Sequence, residues 1–281
     1  MATDDRFTGC TVIITGASQG VGAATARAFA ACGANVVLIA RGQDKLDALA
    51  DELDLGERAM VAPLDVTDIE AFEGLLVEAA KRFGSVDILI NNAGFHSRGQ
   101  VEWLNADDIG RMVDVNLRAP LMASRLILPY LRKARRNDRA AAIVNVASLA
   151  GRTPVPGSAV YSATKFGLRA FGLALAEELR GSGIKIASVS PGPIDTGFIM
   201  DDIDTVSDLT FSQPISTADE VADAIVALVG NKTLDLPMPR LSGYLTTISY
   251  LFPAIGRALR PMLEKKGRRT KDRLKKERGQ G

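Results

Sequence analysis

The chain has 281 residues, 47% of them apolar and 24% charged, with a formal net charge of +1, a balance that suits a packed globular core and excludes a disordered chain. One histidine and two cysteines, Cys10 and Cys32, leave no metal-ligand set, no disulfide framework and no mechanism that needs two histidines. No run of about 18 uncharged apolar residues occurs, so no spanning helix is expected, and residues 1–9 lack the apolar stretch of a secretory signal; the expected compartment is the cytoplasm.

Apolar runs alternate with helix-period segments, the pattern of βαβ units and a parallel sheet. Residues 10–15 read as a buried strand, followed by the turn Gly16-Ala17-Ser18-Gln19-Gly20-Val21-Gly22 and a helix over 21–32 that Gly33 closes. In such a turn Gly16, Ser18, Gln19, Gly20, Val21 and Gly22 allow close approach of a pyrophosphate, favoured by the free N–H groups of the helix start. Residues 35–40 form the next strand, ending at Arg41. A carboxylate there would bind a ribose 2′-hydroxyl, whereas an arginine pairs with a 2′-phosphate, so NADP(H) is expected over NAD(H).

A helix over 43–53 and a strand over 59–64 come next, the strand ending at Asp65-Val66, where Asp65 is placed to accept an adenine amino group. Asp68 caps a helix to about residue 83. A strand over 86–90 ends in Asn91-Asn92-Ala93-Gly94, small enough for a cofactor to approach closely. Residues 107–134 form a long helical stretch containing Asn116, which Pro120 and Pro129 bend or divide. The basic run 132–139 is expected to be a solvated loop, not a nucleic-acid site. A strand over 142–147 ends at Ser148, a helix spans 159–180, and a strand over 185–190 leads into Pro191-Gly192-Pro193-Ile194-Asp195-Thr196. Continuous alternation without a linker predicts one domain over 1–235, a Rossmann-like doubly wound α/β sheet flanked by helices, followed by an extension over 236–281.

Tyr161 and Lys165 stand four residues apart, on one face of the helix over 159–180. A lysine beside a phenol favours the phenolate and is expected to lower the tyrosine pKa toward the range useful for proton transfer. The ordered motifs TGASQGVG, NNAG, VNLRAP, NVAS, YSATK and PGPIDT, over about residues 10–197, resemble the short-chain dehydrogenase/reductase family. That resemblance implies an oxidoreductase acting on a ketone or secondary alcohol, with Tyr161 as general acid/base and Ser148 on the substrate oxygen. It further implies Lys165 on the nicotinamide ribose and Asn116 supporting a water that links Lys165 to solvent. Cofactor contacts are implied for Asn92, Ala93, Gly94, Val66, Tyr161, Lys165, Pro191 and Gly192, with Ile194 and Thr196 near the carboxamide.

Residues 197–214 read as a mobile lid with apolar faces, which favours an apolar or lipid-like substrate. Beyond residue 229 the chain departs from the family's usual glycine-rich close, so a homodimer through 107–134 is expected more than a tetramer. Residues 244–255 are apolar, and residues 257–281 carry a net charge of +8 that leaves −7 on the other 256. This ending fits either peripheral contact with an anionic membrane, where the substrate would be a lipid ketone, or a helix over the pocket followed by a disordered tail. A non-catalytic NADP(H)-binding regulator on the same fold is the other class that the sequence leaves open.

Overall fold

The computed structural model describes residues 6–277 and Gly279. Among these residues seven parallel strands, β1 (Thr11–Thr15), β2 (Asn35–Ala40), β3 (Ala59–Pro63), β4 (Ile88–Asn91), β5 (Ala142–Val146), β6 (Lys185–Pro191) and β7 (Asp235–Met238), stand in the order β3-β2-β1-β4-β5-β6-β7. The helices are α1 (Gly20–Ala31), α2 (Gln43–Leu53), α3 (Ile69–Phe83), α4 (Ala106–Val113), α5 (Ala119–Arg136), α6 (Ala159–Glu178), α7 (Gly197–Met200), α8 (Ala218–Gly230), α9 (Arg240–Leu251) and α10 (Pro253–Glu277). This is the Rossmann-like doubly wound sheet that the alternating pattern predicts.

Because side chains alternate along a strand, β1 feeds two cores at once. Val12 and Ile14 pack with Phe29 of α1, Leu46 of α2 and Ile225 of α8. Ile13 turns to the opposite face, with Phe72 of α3, Ile127 of α5 and Leu175 of α6. Each such fully buried side chain contributes about 1.5–3 kcal/mol. Strand order reverses at β1, so the carboxyl ends of β1 and β4 open a crevice where ligands of this architecture bind. Cys10 and Cys32 are both buried free thiols, and Asp68 caps α3 by accepting from Ala71 N at 3.0 Å.

Four sequence expectations need correction. The long helix is divided not at Pro120 or Pro129 but by a π-helical turn over Asp114–Arg118. The run 132–139 is no solvated loop: α5 continues to Arg136, and Arg139 forms a bidentate pair with the wholly buried Asp87, at 2.8 and 2.9 Å. β7 completes the sheet beside β6, so the extension expected from 236 begins inside a strand. The tail is not disordered, since α10 runs to Glu277. It lies against the segment between α7 and α8, where Gly267 comes so close that a Cβ there would stand 1.7 Å from Asp208 O.

Candidate active site

The turn after β1 owes its glycines first to the chain itself. Gly16, at φ +67°, would drive a Cβ within 2.9 Å of Ala93 Cα, and a Cβ on Gly22 would meet Gly16 O at 2.0 Å. Asn92 braces the same turn, donating from Nδ2 to Thr15 O (2.9 Å) and Gly16 O (3.2 Å). The amides of Asn92 and Ala93 donate to Thr15 Oγ1. The β1 and β4 ends are thus sewn together, leaving the amino end of α1 open to the crevice.

A cleft of about 1210 Å³ runs from this turn across the strand ends to α9 and α10. Every residue of the expected catalytic and cofactor sets lines it except Gly22, which faces the turn, and Asn116, which is fully buried beneath it. At the far end of β2, Arg41 lines the cleft together with Lys45 of α2, whose Nζ donates to Gln19 Oε1 at 3.0 Å. Burial pushes the Asp65 carboxyl up, but two hydrogen bonds from Thr67, with Arg41 and Arg111 nearby, outweigh it and hold the group below its ordinary value.

At the other end Ser148, Tyr161 and Lys165 converge on the cleft wall. Ser148 follows β5 and accepts from Ala150 N at 3.1 Å, which fixes its side chain, and it hydrogen-bonds Tyr161. Lys165 is 3% exposed and donates to Val146 O at 2.8 Å, its Nζ lying 5.7 Å from the Tyr161 ring centroid. Burial lowers its pKa to about 8. The phenol does not titrate as the sequence predicts. Burial pushes it up to about 12, and the Ser148 hydrogen bond and the Arg98 guanidinium pull against this.

Asn116 sits on the π-helical turn and grips the loop after β4. Its Oδ1 accepts from Phe95 N at 2.7 Å, and its Nδ2 donates to Phe95 O at 2.8 Å and to Thr164 Oγ1 at 3.3 Å. The wide turn lets a mid-helix asparagine reach out of its own helix. The loop so held carries two side chains that are not among the expected catalytic and cofactor residues. His96 stacks on Tyr161, and burial, then Arg98 and Lys165, drive it down to about 3, so it is neutral. Arg98 donates to Phe198 O at 2.6 Å and pairs with Asp202 at 3.8 Å, joining this loop to α7. Arg98 stands two residues after His96 with no motif to announce it.

The segment expected to be a mobile lid has a core of its own. Met200, Ile203, Val206 and Phe211 are buried together, with Leu274 of α10 packed against them. Phe198, Ile199 and Leu209 line the cleft, Ile199 also packing against that core. Arg268 and Lys271 of α10 pair with Asp208, and Lys275 with Asp204. The lid is therefore clamped from outside.

The family model described as short chain dehydrogenase matches residues 10–206. The chain belongs to that family. As a member it is an oxidoreductase. Its relatives include a protein named ketoacyl reductase HetN from Nostoc sp., 37% identical over 82% of this chain and 78% of that protein. Another is dehydrogenase/reductase SDR family member 7B from Bos taurus, 31% identical over 85% of this chain and 77% of that protein. Among solved structures, a 3-ketoacyl-(acyl-carrier-protein) reductase from Brucella melitensis complexed with NADH superposes with a TM-score of 0.75. It is 28% identical and the match covers 83% of this chain and 98% of that one. A short-chain dehydrogenase from Burkholderia cenocepacia in complex with NADP gives 0.74, at 31% identity, over 83% and 97%.

Proposed function

We propose that this family member is an NADP(H)-dependent oxidoreductase interconverting a ketone and a secondary alcohol on an apolar, lipid-like body. The observation that carries the reading is the convergence of Ser148, Tyr161 and Lys165 on one wall of a long cleft whose far side is apolar. When bound, the nicotinamide dinucleotide supplies or accepts the hydride. In the reducing direction Tyr161 gives its proton to the carbonyl oxygen, while the Ser148 hydroxyl donates to that oxygen and stabilises its developing charge. In oxidation the phenolate takes the alcohol proton.

Lys165, held by Val146 O, would bind the nicotinamide ribose hydroxyls. Asn116 is a positioning residue, because its amide fixes Phe95 and with it the loop bearing His96 and Arg98. The free N–H groups of the α1 start suit a pyrophosphate, flanked by Gly16, Ser18, Gln19, Gly20 and Val21. Val66, Asn92, Ala93, Gly94, Pro191, Gly192, Ile194 and Thr196 would line the rest of its path. NADP(H) over NAD(H) is supported by Arg41 and Lys45 together at the end of β2, two cations where a 2′-phosphate would lie.

Pairing with a second copy is proposed through α4 and α5, where Val113 and Met122 remain exposed. Among the described residues no helix is long and apolar enough to cross a membrane, and we place the enzyme in the cytoplasm, with contact at a membrane surface. A panel of ketones and alcohols, from short to steroid-like and long-acyl, assayed with both cofactors by nicotinamide absorbance, tests the reading. Cofactor binding without turnover of any panel member would favour a non-catalytic regulator instead.

A further inference from the structure

The outer wall of the cleft is built by α9 and the first half of α10. Leu245, Ile248, Ile255 and Leu259 line the cleft from these helices and yet remain exposed. Beside them Leu241 (69% exposed), Tyr244 (68%), Leu251 (63%), Phe252 (57%) and Met262 (61%) are more open still. These positions recur at steps of about three and four, so a single apolar stripe crosses both helices. Among the described residues nothing covers it. An apolar surface that continues into the mouth of a cavity marks a docking face.

Charge says what docks there. Residues 236–263 contain no Asp or Glu and three arginines, Arg240, Arg257 and Arg260. Just beyond, Lys265, Lys266 and Arg269 are exposed. Arg260 is paired with Glu264 at 2.7 Å, but a second copy seated on this face by two-fold symmetry would still set Arg240, Arg257, Lys265, Lys266 and Arg269 against one another. A bilayer containing anionic lipid matches both parts: hydrocarbon for the stripe and phosphate for the arginines. Part of the +8 charge of the tail faces the protein instead, since Arg268, Lys271 and Lys275 are committed to Asp208 and Asp204 of the lid.

We propose that α9 and the first half of α10 lie on an anionic bilayer surface, and that an apolar ketone or alcohol passes from the bilayer directly into the cleft without crossing water. The entry route rests on reading the cleft as a ketone/alcohol site; the docking face does not. The same helices then serve as membrane anchor outside and substrate wall inside.

The test uses the full chain and the double variant Leu241→Glu/Leu251→Glu. Neither residue lines the cleft, so turnover of a short water-soluble ketone stays at the wild-type level and reports a folded protein. Co-sedimentation is measured with phosphatidylcholine vesicles and with vesicles also containing phosphatidylglycerol. Wild type is expected to sediment with the mixed vesicles, and the variant's partitioning to fall at least about tenfold. Wild type remaining in the supernatant with both vesicles overturns the proposal. A variant that sediments like wild type, but elutes as a smaller species on sizing, overturns it in favour of a contact between copies. With a long-chain ketone dissolved in the vesicles, the variant should turn over several-fold more slowly, and equal rates refute the entry route. Vesicle binding without turnover of any ketone supports the face and refutes the enzymatic reading alone.

Discussion

The imidazole of His96 lies almost flat on the phenol of Tyr161, ring centroids 4.1 Å apart and planes 15° from parallel. Its Nε2 is buried with no hydrogen-bond partner among the described residues. Burial disfavours the charged ring, and protonating it would add a third cation beside Arg98 and Lys165; together these push its pKa down to about 3.

A depressed histidine pKa makes stability depend on pH in one direction. Below about 6.5 the unfolded chain takes up a proton that the folded chain refuses until about 3, so stability falls as pH drops through that window. His96→Phe keeps the stack and removes the titration. Melting temperatures between pH 7 and pH 4 should therefore decline less steeply in the variant, and parallel declines would refute the assignment.

Arg98 supplies the positive charge that works against burial at Tyr161. The charged or titratable neighbours are Lys165 on α6, His96 on the same loop and Asp202 beyond α7, with Ser148 as hydrogen-bond partner. Arg98→Met should move the pH profile of alcohol oxidation upward by as much as about one unit, whereas Arg98→Lys should leave most of it in place. Tyr161→Phe should cut kcat by about 10²–10⁴-fold while fluorescence-detected NADPH binding persists. A near-normal kcat in that variant would remove Tyr161 from the reaction.

Cofactor choice is expected to follow Arg41. Replacing it with aspartate removes a charge-assisted partner of the 2′-phosphate and creates an acceptor for a 2′-hydroxyl. The kcat/KM ratio for NADPH over NADH should then fall by about tenfold to a hundredfold. An unchanged ratio would assign the selectivity to other groups.

Gly267→Ala tests the clamp on the lid. The added methyl meets the backbone of Asp208 at 1.7 Å, and backbone cannot step aside as a flexible side chain can. The contact between α10 and the lid should loosen at a cost of about 1–3 kcal/mol. Faster amide exchange over residues 201–212, with a higher KM and little change in the exchange of β1 or β4, is the expected pattern. Unaltered exchange in the lid would mean that α10 does not hold it.

What the amino-acid sequence determined by itself was whatever rests on short-range periodicity. The Val12–Ile14 alternation announces a strand buried on both faces. Gly16, Gly20 and Gly22 announce a tight turn into a helix, and Tyr161 with Lys165 one turn apart announces a shared helix face. Sheet class and crevice follow from such local facts, while the convergence of Ser148 with Tyr161 was implied by the resemblance of the ordered motifs to the family. Only the tertiary structure brought Arg98 to the phenol. Lys165 is its neighbour in sequence, but its ammonium is turned to Val146 O, and Arg98 reaches the site from a loop more than sixty residues away. It also decided the fate of the basic tail, because whether a cation is solvated or bonded depends on where the chain brings Asp204 and Asp208. Periodicity records which way a residue faces along its own element; it carries no information on what another element places opposite.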